Sequence, residues 1–198
     1  MIRHFWFRGL LPLVAASAAF MIYLGILQVS GNFHEVIAGQ LYRSSQPSDE
    51  QLADYVKSSG IRTIINLRGE NENSGWYRDE TATAATLGVQ HIDFPMSARK
   101  RLGAERVAQL VQIMRDAPKP ILIHCKSGSD RTGLASAIYV YRVAGLDEET
   151  AEHQLSIWFG HLSIPYLSSA YAMDRSWNDI EHGTDAATNL SDAPAQVI

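Results

Sequence analysis

The stretch ILIHCKSGSDRTG, residues 121–133, combines a compact apolar run, a short glycine-containing segment and a helix opening. The run Ile121–Ile123 predicts a strand that is buried on both faces. Residues 125–131 then predict a tight loop, and Thr132–Ala144 predicts a helix that ends at Gly145. A loop between a buried strand and a helix N-terminus points successive N–H groups into one concavity. The segment therefore predicts a binding site for an anion such as phosphate.

The side chains of this loop add chemistry to the predicted anion site. Cys125 is the sole cysteine, which excludes a disulfide framework and a multi-cysteine metal site. A thiol beside a helix N-terminus is stabilised as thiolate, so Cys125 is the candidate nucleophile. Arg131 follows six residues later, and its planar fork can bind two phosphate oxygens. We expect Thr132 to donate its hydroxyl to the thiolate and His124 to hold the loop through a ring N–H.

The run His124–Gly133 resembles the signature HCxxGxxRTG, with Cys-x5-Arg at its centre, of protein tyrosine and dual-specificity phosphatases. The resemblance extends from about Phe33 to Tyr171 and points to a bacterial, membrane-anchored member of that superfamily. It implies their fold, a phosphocysteine intermediate on Cys125, and no metal or other cofactor. It also implies that phosphate is bound by the loop residues Lys126, Ser127, Gly128, Ser129 and Thr132, together with Arg131.

The rest of the globular part predicts an α/β fold, with a central, mostly parallel sheet flanked by helices. Short apolar runs predict strands over Arg62–Leu67 and Val89–Phe94, in addition to the one before Cys125. Amphipathic or capped stretches predict helices over Ser48–Ser58 (with a capping box of Ser48 and Gln51), Trp76–Leu87, Ala104–Asp116, Asp147–Phe159 and Tyr166–Ile180. We expect one phosphatase-like catalytic domain over residues 33–181 and a flexible tail over residues 182–198.

An apolar run precedes this domain. Residues 9–29 carry no charge and would reach about 31 Å as a helix, enough to cross a hydrocarbon core of roughly 30 Å. Arg3 and Arg8 lie before the run, so the positive-inside rule favours a cytoplasmic N-terminus over residues 1–8 and a single-pass anchor. The catalytic domain is then predicted on the exported, periplasmic side. A signal peptide cleaved near Ala16-Ser17-Ala18 is the alternative.

The sequence departs from the family pattern at the position of the general acid. Dual-specificity phosphatases carry an aspartate in the loop after the strand that ends here at Phe94, and Ala98 occupies the expected position. Asp130 is the first replacement, because related enzymes share the triplet Asp-Arg-Thr at this point of the loop. Asp93 is the second, since it directly precedes the loop. Either carboxyl group could instead be structural, and a general acid needs only hydrogen-bond reach of the leaving oxygen.

Three functions remain open from the sequence. The first is a phosphomonoester hydrolase acting on phosphoproteins. The second is a phosphatase of phosphoinositides or other phospholipids, which the basic run Arg99-Lys100-Arg101 and the anchor favour. The third is a non-catalytic pseudophosphatase that binds phosphorylated partners, for which the missing loop aspartate argues. A net charge of -4 gives no basic field, so no nucleic-acid partner is expected.

Overall fold

A five-stranded sheet forms the centre of the structure, a computed structural model that describes residues 3–183. Four strands are parallel and follow the order β2-β5-β3-β4, while β1 pairs antiparallel with β2 at one edge. The strands are β1 (His34–Ile37), β2 (Leu41–Ser44), β3 (Thr63–Asn66), β4 (Gln90–Asp93) and β5 (Ile121–His124). The predicted mixed α/β architecture with a mostly parallel sheet is confirmed.

Helices cover both faces of the sheet. The helices of the described chain are α1 (Arg3–Val29), α2 (Asp49–Ser59), α3 (Gly75–Leu87), α4 (Ala104–Asp116), α5 (Asp130–Ile138), α6 (Glu148–Glu152) and α7 (Tyr171–Glu181), and α1 extends away from the sheet cores. On one face, Ile64 and Leu122 pack with residues of α2 and α3. On the other, Ile65, Ile121 and Ile123 pack with α4, α5 and α7 in the larger core. Side-chain alternation along the strands thus builds a core on each face.

Several helices agree with the sequence prediction. The capping box of α2 is present, because the Ser48 hydroxyl accepts from the Gln51 N–H and the Gln51 side chain accepts from the Ser48 N–H. Helix α4 has the predicted bounds. Helix α5 is regular to Ile138 and then widens into a π-helical turn over Tyr139–Val143. Of the predicted tail, residues 184–198 lie outside the described part of the chain.

Two local predictions were wrong or incomplete. The predicted helix over Asp147–Phe159 is only the short α6, followed by a 3-10 turn over Ile157–Phe159. In the segment after α6, the Phe159 ring stacks on the guanidinium of Arg43, 3.9 Å from the ring centroid. The β1–β2 hairpin was not predicted, because a charged residue interrupts each of its short strands, Glu35 in β1 and Arg43 in β2.

Helix α1 contains one stretch that could cross a membrane by its length and composition. Pro12–Val29 has a mean hydropathy of 1.8, and only 6% of it is buried. A signal sequence near the N-terminus would satisfy the same criteria. Pro12 lies inside the helix, which continues to Val29 and contacts the globular part through its last two turns.

Candidate active site

The carboxyl ends of the four parallel strands place a row of polar residues along one edge of the sheet. Ser44 of β2 lies opposite His124 of β5, which lies opposite Asn66 of β3, which lies opposite Asp93 of β4. Cys125 directly follows this row, and helix α5 starts at Asp130. The strand, loop and helix predicted around Cys125 are therefore present, at the edge where open α/β sheets bind ligands.

The loop 125–131 is held from outside through its carbonyl groups. The Gln46 N–H donates to the Lys126 carbonyl (3.3 Å), the Asn32 side-chain amide to Ser127 (3.1 Å), and the guanidinium of Arg43 to Gly128 (2.9 Å). In a trans peptide the carbonyl and the following N–H point in opposite directions. The next N–H groups along the loop therefore face away from these donors, toward the concavity beside the Cys125 thiol. This is the arrangement that binds an anion.

Arg43 is fully buried under this loop, and no local sequence pattern marks it as part of the site. One guanidinium nitrogen donates to Gly128 and Ser129 carbonyls, at 2.9 and 3.4 Å. The other donates to the main-chain and side-chain oxygens of Gln154, at 2.8 and 2.9 Å. Burial lowers the pKa of Arg43 to about 9, and the interaction with Cys125 opposes that shift. The side chain is therefore charged at neutral pH and adds positive potential behind the thiol.

Asn32 connects the loop to the end of helix α1. Its side-chain amide donates to the carbonyls of Ser127 and Phe159, and its Oδ1 contacts the His34 ring at 3.0 Å. Its φ of 46° is in the left-handed region, where Asn is among the few tolerated side chains. The Gln28 amide, in the last turn of α1, also reaches the Ser127 carbonyl at 3.4 Å. The N-terminal helix thus contacts the candidate active-site loop directly.

Two arginines border the loop on its open side. Arg131 donates weakly to the carbonyls of Leu67 and Met96, at 3.3 and 3.4 Å. Arg68 lies over the Trp76 ring, 3.4 Å from its centroid, and donates to the Gln46 side chain at 2.8 Å. Burial lowers the pKa of Arg68, as does repulsion by Arg131, while Glu80 and Cys125 oppose this. Arg68 was not predicted as a site residue. The only sequence signal for it is its position directly after a predicted strand.

The predicted role of His124 is wrong in detail. Its buried ring does not bond the loop; Nε2 contacts Glu80 Oε1 at 3.2 Å, and no partner for Nδ1 lies within residues 3–183. Glu80 is itself buried and also contacts Gln46 and His91. Burial raises the pKa of Glu80, but these hydrogen bonds outweigh it and lower the pKa to about 2. The missed signal is a glutamate on the buried face of α3, between Tyr77 and Ala84.

The loop hydroxyls also depart from expectation. The Thr132 hydroxyl is buried and has no hydrogen-bond partner within the described part of the chain, so the predicted bond to the thiol is absent. The Ser127 and Ser129 hydroxyls pair with each other at 2.7 Å. Lys126 is exposed at the rim of the loop. Gly128 has a φ of 75°, and a Cβ there would lie 2.7 Å from the Ser45 nitrogen, so this position requires glycine.

Asp130 contacts a histidine 31 residues along the chain, which no local sequence pattern links to it. His161 Nδ1 contacts Asp130 Oδ1 at 2.8 Å, and Nε2 contacts Asp174 Oδ1 at 3.2 Å. Burial lowers the pKa of His161, but the two carboxylates outweigh that effect and raise it to about 9. His161 is therefore an imidazolium at neutral pH, and Asp130 stands at the start of α5 with its charge compensated.

Asp93 is farther from the nucleophile. Strand β3 separates its strand from β5, so Asp93 lies about two strand spacings, roughly 10 Å, along the row from His124. Its carboxylate accepts from the Asn66 amide at 2.7 Å and from the Tyr77 hydroxyl at 2.6 Å. Burial and these interactions with Asp93 raise the pKa of Tyr77. The loop that follows, 94–103, carries cations and no carboxylate.

The comparisons with known proteins agree with this geometry. Residues 29–160 match the family model described as DSP-PTPase phosphatase fused to NAD+ kinase, which is two thirds of the 198-residue chain. The dual specificity protein phosphatase TpbA of Pseudomonas aeruginosa is 28% identical over 116 residues, which cover 58% of this chain and 49% of TpbA. The chain therefore spans about half the length of this relative.

Solved structures share the fold. The crystal structure of a TpbA variant in complex with phosphotyrosine superposes with a TM-score of 0.59 at 21% identity, covering 81% of this chain and 91% of that one. The core catalytic domain of the PP-IP phosphatase SIW14 from S. cerevisiae superposes with a TM-score of 0.58 at 21% identity, covering 80% and 92%. These structures share the fold, and the family model that matches two thirds of the chain, including the Cys125–Arg131 loop, shows that the chain belongs to the DSP-PTPase family of the protein tyrosine phosphatase superfamily.

Proposed function

We propose that this chain is a phosphomonoester hydrolase that works through a phosphocysteine intermediate on Cys125. The observation that carries the proposal is the loop around Cys125, whose carbonyl groups are bonded outward to Gln46, Asn32 and Arg43. That arrangement leaves N–H groups for the three equatorial oxygens of a transferring phosphoryl group. An intact nucleophile and clamp argue for turnover rather than for a pseudophosphatase.

The proposed reaction has two displacements. The Cys125 thiolate attacks phosphorus while the bond from phosphorus to the leaving oxygen breaks, and the general acid protonates that oxygen. Water then attacks phosphorus, the sulfur–phosphorus bond breaks, and the thiolate and inorganic phosphate are released. Arg131 binds two phosphate oxygens in both steps, and Lys126 adds charge at the rim. The Thr132 hydroxyl is available as a further donor, and so is whichever hydroxyl of the Ser127–Ser129 pair does not donate to the other.

We assign the general acid to Asp130 in preference to Asp93. Asp130 belongs to the same loop as Cys125, whereas Asp93 lies two strands away and is occupied by Asn66 and Tyr77. The contact with His161 supports Asp130 further, because a hydrogen bond to the imidazole holds one carboxylate oxygen of Asp130 in a fixed orientation beside the loop. The role of His161 in this scheme is to position the acid, not to touch substrate.

The anchor and topology also remain proposals. Residues 9–29 would form a single membrane span, with residues 1–8 cytoplasmic and the catalytic domain, residues 33–181, on the exported side. TpbA is named a protein phosphatase and SIW14 a PP-IP phosphatase, so phosphoproteins and inositol-based phosphates are both candidate substrates. The contact of α1 with the loop at Ser127 favours a phosphomonoester held near a membrane.

The test compares the full-length chain in detergent with Cys125→Ser, Asp130→Asn and Asp93→Asn variants. Cys125→Ser is expected to abolish hydrolysis of an aryl phosphate and retain phosphate binding; wild-type turnover in that variant would refute the mechanism. Asp130→Asn is expected to lower kcat for an alkyl phosphate by about 10²–10⁴-fold, and for a nitrophenyl phosphate by much less. Asp93→Asn is the matched control. The reverse pattern would transfer the acid to Asp93.

A further inference from the structure

A cluster of exposed apolar side chains lies in one short segment, Ile157–Leu167, which we call the seating segment. Six large side chains there are 42% to 90% exposed, whereas the described chain after helix α1 has only two others, Leu87 and Leu146. The six are Ile157, Trp158, Leu162, Ile164, Tyr166 and Leu167. Isolated exposed apolar residues are ordinary, but a continuous cluster marks an interaction surface. Trp and Tyr are also the side chains enriched at membrane–water interfaces.

The seating segment is continuous with the proposed membrane anchor. The Tyr23 hydroxyl donates to the Trp158 carbonyl at 2.7 Å, and a Cβ at Gly160 would lie 3.5 Å from the Leu27 side chain. Tyr23 lies six residues, about 9 Å, before Val29 at the end of the apolar helix. Interfacial segments sink about 5–10 Å into the boundary between headgroups and acyl chains. Trp158 is therefore level with that boundary if the apolar run spans the bilayer.

A basic groove adjoins the seating segment. It has a volume of about 390 Å³ and is lined by Arg99, Lys100, Arg101 and Arg175, with Tyr166 shared between groove and segment. Arg101 is paired with Asp179. Within residues 3–183 the other three cations make no ion pair. Apolar and aromatic residues beside uncompensated cations fit a surface of anionic lipid headgroups.

Both surfaces border the proposed active site. The loop that carries the cations also provides the Met96 carbonyl to Arg131, and the seating segment carries His161, which binds Asp130. We infer that the seating segment and the basic groove hold the catalytic domain on an anionic bilayer, so that the site opens toward lipid headgroups. This rests on the proposed function, and it specifies the substrate class as a phosphomonoester of a membrane lipid.

The single cysteine makes a direct test possible. In the full-length chain with Cys125→Ser, a fluorophore is attached at Leu167→Cys and, as control, at Leu87→Cys. Leu87 is exposed and precedes β4, at the sheet edge opposite the site. The proteins are reconstituted into phosphatidylcholine–phosphatidylglycerol vesicles that contain lipids with a nitroxide near the headgroup. The probe at position 167 is expected to be quenched several-fold more strongly than the probe at position 87. Equal quenching of both probes would overturn the inferred contact between the seating segment and the bilayer.

A second measurement tests the link to substrate. Leu167→Asp, with Cys125 intact, is expected to lose most of its turnover of phosphatidic acid in vesicles and to keep wild-type turnover of a soluble aryl phosphate. Equal rates for variant and wild type on the lipid would contradict the inferred substrate class. If the wild type hydrolyses neither substrate, the proposed function fails, and the quenching result still decides whether the surface contacts the bilayer.

Discussion

The most informative single substitution is Arg43→Lys, because it keeps the buried positive charge and removes the two-pronged guanidinium group. In the native site one nitrogen of Arg43 serves the loop carbonyls of Gly128 and Ser129, and the other serves Gln154. A lysine has one nitrogen and can reach only one of these two groups of acceptors. The variant therefore leaves either the phosphate loop or Gln154 without its donor.

The expected size of the effect follows from these contacts. A hydrogen bond to a charged donor contributes about 1.5–3 kcal/mol, and the lost stacking on Phe159 adds about 0.5–1 kcal/mol. We expect the free energy of unfolding to fall by about 3 kcal/mol, which for a domain of this size is roughly 6–12 °C in Tm. If the loop carbonyls are the ones released, about 1.4–2.7 kcal/mol of transition-state stabilisation is lost, or about 10–100-fold in kcat.

The assay combines urea unfolding with steady-state hydrolysis of an aryl phosphate. Arg115→Lys is the control: Arg115 is exposed and donates to a main-chain carbonyl far from the site, so its variant should stay within about 0.5 kcal/mol of wild type. Wild-type stability and kcat in Arg43→Lys would contradict both roles assigned to Arg43, in stability and in holding the loop. Reduced stability with an unchanged kcat would show that Arg43 supports the fold without positioning the loop.

Three further predictions concern buried groups. The pKa of Glu80 is lowered to about 2, so its ionised form contributes about 3 kcal/mol of stability above pH 4.5. This contribution is lost as the pH falls toward 2. Glu80→Gln should therefore remove the acid-induced loss of stability when unfolding is measured as a function of pH. The pKa of His161 is raised to about 9, so its charged form contributes about 3 kcal/mol to the free energy of unfolding below pH 6.5, and this is lost as the pH rises through 9. If His161→Gln lost stability at alkaline pH as the wild type does, this prediction would be wrong. Gly128→Ala should cost at least about 2 kcal/mol and most activity, because its Cβ meets the main chain at Ser45; thermal unfolding and turnover at wild-type levels would contradict it.

The local sequence predicted the features that depend on neighbouring residues. The capping box of α2, the bounds of α4 and the strand before Cys125 follow from patterns within about a dozen residues. The loop geometry also follows, because a buried strand and a helix opening leave Cys125 and Arg131 few alternatives. The same holds for the mostly parallel sheet, which alternating strands and helices favour.

The supporting residues were not predictable in the same way. Arg43 binds groups 85 to 111 residues away, and Asn32 binds Ser127 across 95 residues, so no local pattern marks either side chain. The role expected for His124 failed for a related reason: Glu80, 44 residues away, occupies its Nε2. Sequence spacing defines the reacting groups, whereas the contacts that orient them depend on the order of the strands.

The proposed mechanism requires that Cys125 carry the phosphoryl group during turnover. It is tested by rapid acid quench of the full-length protein with an aryl phosphate, followed by mass spectrometry of the peptide that contains Cys125. We expect this peptide to gain the mass of one phosphoryl group at Cys125 within the first turnover, and the gain to be absent without substrate. Steady turnover with no phosphorylated Cys125 at any quench time would contradict it.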